Sequence, residues 1–230
     1  VGLGLLSVLG VGFLLGIKHA IEPDHVIAVS TIASHSKKLW RTSLAGVFWG
    51  IGHTTTLFVV GLILILTKNN ISEKVSGSLE FLVGIMLVYL GISSLISVGR
   101  SKKAYLHQHQ HHHEEHTHYV SQPTASHKGI SYIKSMVIGL VHGIAGSGAM
   151  VLLTMSTVQS VWDGALYILI FGLGTIAGML LFTTILGIPF VLSASNRHVN
   201  LTLTQVTGVV STLFGFYYIY SLGITQGLFG

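Results

Sequence analysis

Hydrophobic residues fall into six long runs, residues 1–33, 39–66, 75–98, 130–158, 161–192 and 201–222, separated by short polar stretches. A helix needs ~20 predominantly apolar residues to cross a hydrocarbon core ~30 Å thick. Each run meets that length, so the pattern predicts six transmembrane helices. The first run alone carries a dense group of charged residues in its middle. Residues 1–17 resemble the apolar core of a signal peptide but lack a basic flank and a small-residue cleavage site, so a retained span is expected.

An even number of spans puts both termini on one face. The loops after the first, third and fifth runs carry Lys37, Lys38, Arg41, Arg100, Lys102, Lys103, Lys128, Lys134 and Arg197, whereas the loop after the second has only Lys68 and Lys74. The positive-inside rule then makes the first set cytoplasmic and the termini external, in a multi-pass protein of the cytoplasmic membrane.

The runs also repeat. Gly16-Ile17-Lys18-His19-Ala20-Ile21 lies against Gly139-Leu140-Val141-His142-Gly143-Ile144 at an offset of 123 residues, and Trp49-Gly50-Ile51-Gly52 against Phe171-Gly172-Leu173-Gly174 at 122. Gly84 and Gly91 match Gly208 and Gly215 at 124. Three ordered matches argue for two halves of three helices, and an odd number of spans per half inverts the second relative to the first, as in many secondary transporters. The expected fold is an all-α membrane protein of two inverted three-helix repeats, residues 1–99 and 129–230, with the first helix of each half broken or kinked. Residues 100–128 form a polar linker between them, expected to be disordered and cytoplasmic, with eight of the fourteen histidines. His111, His112, His113, His116 and His118 make it an auxiliary metal-capture candidate; a solvated spacer is the plain alternative.

Composition narrows the chemistry. Only 8% of residues are charged, which excludes an ordinary water-soluble domain, and the net charge of +5 resides in the short loops, so it reads as a topology signal rather than a nucleic-acid surface. The absence of cysteine excludes disulfides, thiolate sites and cysteine nucleophiles; any metal must be held by His, Asp, Glu or backbone oxygen. The glycine pairs Gly12/Gly16, Gly46/Gly50, Gly139/Gly143 and Gly174/Gly178 have the spacing of close helix contacts.

The charged group in the first run is Lys18-His19-Ala20-Ile21-Glu22-Pro23-Asp24-His25. A charge at the bilayer centre costs ~2.5–3.5 kcal/mol even on the lenient insertion scale, so such residues mark function by default. Pro23 removes a backbone donor, so the helix is expected to kink or unwind and free the carbonyl of His19. In a regular helix His19, Glu22 and His25 share a face and Asp24 points away; the break is what would turn Asp24 inward. Two imidazoles and two carboxylates suit a divalent borderline cation, and Lys18 would pair with a carboxylate when the cation is absent. The alternative is a cluster lying in headgroup water. His53, mid-run after Gly50-Ile51-Gly52, is either a ligand or a hydrogen-bonded core histidine. In the second half Ala145 and Ser147 replace Glu22 and Asp24, leaving His142 and Ser147 as pathway or partner candidates, or a plain packing seam.

The pattern His19-Ala20-Ile21-Glu22-Pro23-Asp24-His25, with Gly52-His53-Thr54-Thr55, resembles the nickel/cobalt transporter superfamily, in which a histidine, four residues and Asp-His lie on a transmembrane helix. Six spans and the Glu22-Pro23 pair are closer to its UreH-like, urease-accessory branch. The resemblance implies that His19, Glu22, Asp24, His25 and His53 form the ion-selecting site. It further implies a non-enzymatic carrier with nickel, or cobalt, as substrate rather than permanent cofactor, and a link to urease maturation. An efflux carrier, an intramembrane metalloenzyme using Glu22 as base, and a sensor or scaffold delivering nickel to urease are the competing classes.

Overall fold

The computed structural model describes residues 3–67, 72–103, 131–157 and 160–228, and among them every regular element is a helix. Seven helices follow in order: α1 (Leu3–His19), α2 (Pro23–Ala33), α3 (Leu39–Thr67), α4 (Glu73–Lys103), α5 (Tyr132–Thr157), α6 (Val161–Leu192) and α7 (Arg197–Tyr220). A 3-10 turn, Ser193–Ser195, closes α6, and a π turn, Ser221–Thr225, closes α7.

Four helical stretches are long and apolar enough to cross a membrane: Leu39–Thr67, Lys74–Ser101, Val161–Ser195 and Arg197–Thr225. Leu6–His19 and Pro23–Ala33 together qualify as one broken span, bent by 56°. The chain is therefore a multi-pass membrane protein, all-helical and with four or five spans by length and composition among the described residues. The remaining expected span, residues 130–158, forms α5, whose described apolar stretch, Tyr132–Ala145, is shorter than the others.

Pro23 sets the break. It occupies the first turn of α2, where its missing N–H is not needed, and Glu22 before it is extended (φ −61°, ψ 146°) as a pre-proline residue prefers. The end of α1 tightens into i→i+3 bonds, Ile21 N–H to Lys18 O at 3.1 Å and Glu22 N–H to His19 O at 3.1 Å. The carbonyl of His19 is therefore not freed, contrary to the sequence expectation, because the tightened turn captures it. The second half also departs from expectation: α5 runs unbroken. Its glycines each weaken a helix by about 1 kcal/mol but, unlike proline, remove no hydrogen-bond donor.

Helices approach through glycine. A Cβ added to Gly16 of α1 would strike the Phe171 carbonyl of α6, and one added to Gly139 of α5 would strike the Trp49 carbonyl of α3. Gly52 of α3 sits on the Met136 carbonyl of α5, and Gly174 of α6 on the Phe13 carbonyl of α1. Gly84 of α4 faces Gly215 and Ile219 of α7, while Gly208 of α7 faces Gly91 and Leu95 of α4. Every contact thus recurs at the offsets seen in the sequence, so α1 on α6 is matched by α5 on α3.

The distribution of polarity is that of a protein solvated by lipid. Leu14, Ile63 and Leu213 are 65%, 54% and 64% exposed, whereas Ser94, Thr175, Ser211 and His53 are wholly buried. The buried hydroxyls bond backbone carbonyls, Ser211 to Leu87 O at 2.9 Å and Thr175 to Phe171 O at 3.1 Å, so they bring no unpaired polarity inside.

Candidate metal centre

The break between α1 and α2 fixes two groups of side chains in close succession. His19 is the last residue of α1, and Asp24 and His25 lie in the first turn of α2. The 56° bend swings that turn toward α3 and α5, which carry His53 and His142 at positions where glycine brings the backbones together. A Cβ on Gly143, beside His142, would press on the His53 carbonyl. His25, His53 and His142 are almost completely buried, at 1%, 0% and 2% exposure.

These side chains touch. His19 Nε2 lies 3.0 Å from His53 Nε2, His142 Nε2 lies 2.8 Å from Asp24 Oδ2, and His25 Nδ1 lies 3.3 Å from Asp24 Oδ1. His19 Nδ1 lies 2.9 Å from Glu22 Oε2. One set of neutral tautomers satisfies all four contacts: His19 donates from Nδ1 to Glu22, His53 donates from Nε2 to His19, and His25 and His142 both donate to Asp24. That set leaves His25 Nε2, His53 Nδ1 and His142 Nδ1 as lone pairs, and these atoms are buried without a hydrogen-bond partner. Orphaned acceptors in low dielectric are costly unless an electrophile meets them.

The spacing also suits a metal ion. Nitrogens bound to one first-row ion at ~2.0–2.1 Å stand about 2.9–3.4 Å apart at right-angle or tetrahedral geometry, a range that includes the His19–His53 separation. Potential ligand atoms of His19, His25 and His53 all lie within 4.8 Å of one another, as do those of Asp24, His25 and His142. A cavity of about 360 Å³ opens on the cluster, lined among others by His19, Asp24, His25, His142, Glu80 and Tyr218. Aromatic walls flank it: the His19 ring lies 5.5 Å from Phe171, and the His25 ring stacks 6.1 Å from Trp49.

Glu22 stands at the rim, its side chain 51% exposed, and reaches the cluster only through His19. Lys18 lines the same cavity, but among the described residues no ion pair joins it to Glu22 or Asp24. The threonines beside His53 bond carbonyls instead: Thr54 that of Gly172, Thr55 that of Ile51, and Thr56 those of Gly52 and Leu140. The Ser147 side chain and the histidines of the linker, including His111, His112, His113, His116 and His118, lie outside the described residues.

Sequence reasoning did not single out two cavity residues, Glu80 of α4 and Tyr218 of α7. The signal for Glu80 was an acidic residue within an apolar run; that for Tyr218 was absent, since a tyrosine near a helix end is ordinary in membranes. His142 appeared only as a partner of the first half, because its neighbours in sequence are small and uncharged.

Comparison with known proteins gives the chain its relatives. The family described as "Cytochrome C biogenesis protein transmembrane region" matches residues 7–217. The chain is 59% identical to the "Urease accessory protein UreH" of Bacillus sp. strain TB-90, over 98% of this chain and 96% of that one. It is 26% identical to a Methanocaldococcus jannaschii protein named as a nickel/cobalt efflux system, over 89% and 88% of the two chains. It is 24% identical to "Chloroplast protein FOR GROWTH AND FERTILITY 1" of Arabidopsis thaliana, over 80% of this chain and 50% of that protein. No solved structure matches the chain significantly.

Proposed function

The chain belongs to the family of the cytochrome C biogenesis protein transmembrane region and, in the nickel/cobalt transporter superfamily, to the branch of UreH, and on that footing we propose that it is a secondary carrier of a divalent transition-metal cation, nickel first. The observation that carries this reading is the meeting of four imidazoles and Asp24, with His19, Asp24, His25 and His142 lining a cavity and His53 buried behind them. Neutral imidazole with one or two carboxylates favours nickel, cobalt or zinc over magnesium or calcium, which prefer all-oxygen shells.

The carrier consists of two inverted three-helix repeats whose reciprocal glycine contacts let the halves rock about the ion. The reciprocity of Gly16 with Phe171 and Gly139 with Trp49 supports this arrangement. The ion enters the cavity, loses water to the imidazoles and leaves on the other side when the halves reorient. The histidine-rich linker captures ions near the cytoplasmic mouth and is auxiliary. The name of the Bacillus relative supports a link to urease maturation, a role that nickel supply would fill, and the name of the Methanocaldococcus relative supports efflux as the alternative direction.

Reconstitution into liposomes tests the reading. Radionickel should reach an impermeant chelator trapped inside, and Asp24→Ala and His25→Ala should abolish flux while leaving the protein inserted and monodisperse. Unchanged flux in both variants, or binding with no flux in the wild type, would reject carriage, the latter in favour of a sensor. Loading nickel inside or outside vesicles of known protein orientation gives the direction.

A further inference from the structure

The five buried or partly buried ligands do not make one site. Two atoms bound to one ion by bonds of ~2.0–2.1 Å can be no more than about 4.2 Å apart, even on opposite sides of it. The ligand atoms fall into two groups, His19 with His25 and His53, and Asp24 with His25 and His142, and no single such group takes in all five. The rings of His53 and His142 are 6.5 Å apart at their centroids, whereas His25 lies between, 4.4 Å from His142, 4.7 Å from His19 and 5.2 Å from His53.

We propose that this cluster is two adjacent cation stations sharing His25, one of three imidazoles (His19, His25, His53) and one of two imidazoles and a carboxylate (Asp24, His25, His142), occupied alternately by a single divalent ion. The inference rests on the cation-carrier reading and refines it. His25 has the geometry for the shared role. Its Nδ1 faces Asp24 at 3.3 Å, while Nε2 is buried with no partner, so the ring presents one nitrogen to the carboxylate and has the other to spare. It stands on the first turn of α2, just past the break, with its ring against those of His53 on α3 and His142 on α5.

The two stations differ in charge. The first offers three neutral rings, with Glu22 bonded to the outer nitrogen of His19, an arrangement that raises the basicity of the inner one. The second places one full negative charge beside the ion. Two divalent ions so close in low dielectric would repel strongly, so filling one station empties the other. Transfer then needs only that His25 follow the ion while the remaining ligands exchange, and no state leaves the ion without protein ligands.

Equilibrium nickel binding to the purified full-length protein, with X-ray absorption of the bound ion, tests this. The wild type should bind one ion per chain. Asp24→Asn should retain one ion ligated by imidazoles alone, and His53→Gln one ion with carboxylate among its ligands, each weakened by no more than about tenfold but with flux reduced more than that. His25→Gln removes a ligand from both stations and should weaken binding by more than about a hundredfold, beyond what losing an outer-shell partner costs. His53→Asn and His25→Asn provide second variants should the glutamines impair folding. Equal, severe loss of binding in all three positions, or two ions bound per chain, would overturn the stations and leave the carrier reading intact. A wild type that binds no nickel would overturn both.

Discussion

Asp24 and His142 are 118 residues apart in the chain, yet Oδ2 of one lies 2.8 Å from Nε2 of the other. This contact ties the helix that follows the proline break to the helix that opens the second half of the sequence. It also makes His142, which has no acidic neighbour in sequence, part of the cluster that His19, Asp24 and His25 begin.

His142→Ala removes the partner of a mostly buried carboxylate. Losing a hydrogen bond to a buried charged group costs about 1.5–3 kcal/mol. Asp24 keeps His25 as a second donor, so the lower end applies. The variant should melt at lower temperature in detergent than the wild type, and nickel affinity measured by titration calorimetry should fall by no more than about tenfold, since His19, His25 and His53 still make a station. His142→Asn, which retains a donor, should recover much of the melting temperature but little of the affinity.

Acidification should release the ion. A ligating imidazole must present a lone pair, so metal binding excludes protons from the ligand nitrogens and affinity rises with pH. The nickel affinity of the purified protein, measured across a pH series, should therefore fall on the acid side. Affinity that stays constant down to the pH at which the protein unfolds would show that the histidines are not the ligands.

Glu80→Gln tests the far wall of the cavity. Glu80 accepts a hydrogen bond from Ser76 Oγ at 3.4 Å and lines the cavity beside Tyr218, so glutamine preserves the shape and removes the charge. Flux in liposomes should fall severalfold while equilibrium nickel binding stays near that of the wild type, since Glu80 belongs to neither ligand group. Tyr218→Phe should give a smaller loss in the same direction.

The glycine seams predict paired costs. Gly16→Ala and Gly139→Ala each drive a methyl into a carbonyl of the facing helix, Phe171 and Trp49 respectively. Overpacking of this kind costs typically about 1–3 kcal/mol. Both should lower the melting temperature by similar amounts, whereas Gly10→Ala and Gly99→Ala, with nothing within 4 Å of the added carbon, should be neutral or slightly stabilising. A large difference between Gly16→Ala and Gly139→Ala would show that the two halves are not mechanically equivalent.

Helices α3, α4, α6 and α7 were legible in the sequence because lipid imposes a length and an apolar composition that local reading detects. The break at Pro23 was equally legible, since a missing N–H and a ring clash act on the immediate neighbours alone. The side chains that the first half brings to the cluster, His19, Asp24 and His25, were visible because ionisable residues stand out in an apolar run, and the glycines of the reciprocal α1–α6 and α3–α5 contacts could be read from their spacing. What only tertiary structure decided was which side chains meet. Glu22 and Asp24 are equivalent carboxylates in the sequence, but the turn leaves Glu22 at the rim and carries Asp24 inward to His142. Glu80 and Tyr218 join the cavity because α4 packs along α7 through Gly84 and Gly215, contacts more than a hundred residues apart. Local chemistry fixes where a helix runs and bends, whereas a metal centre is made by the distances between helices, which depend on every packed surface in the bundle at once.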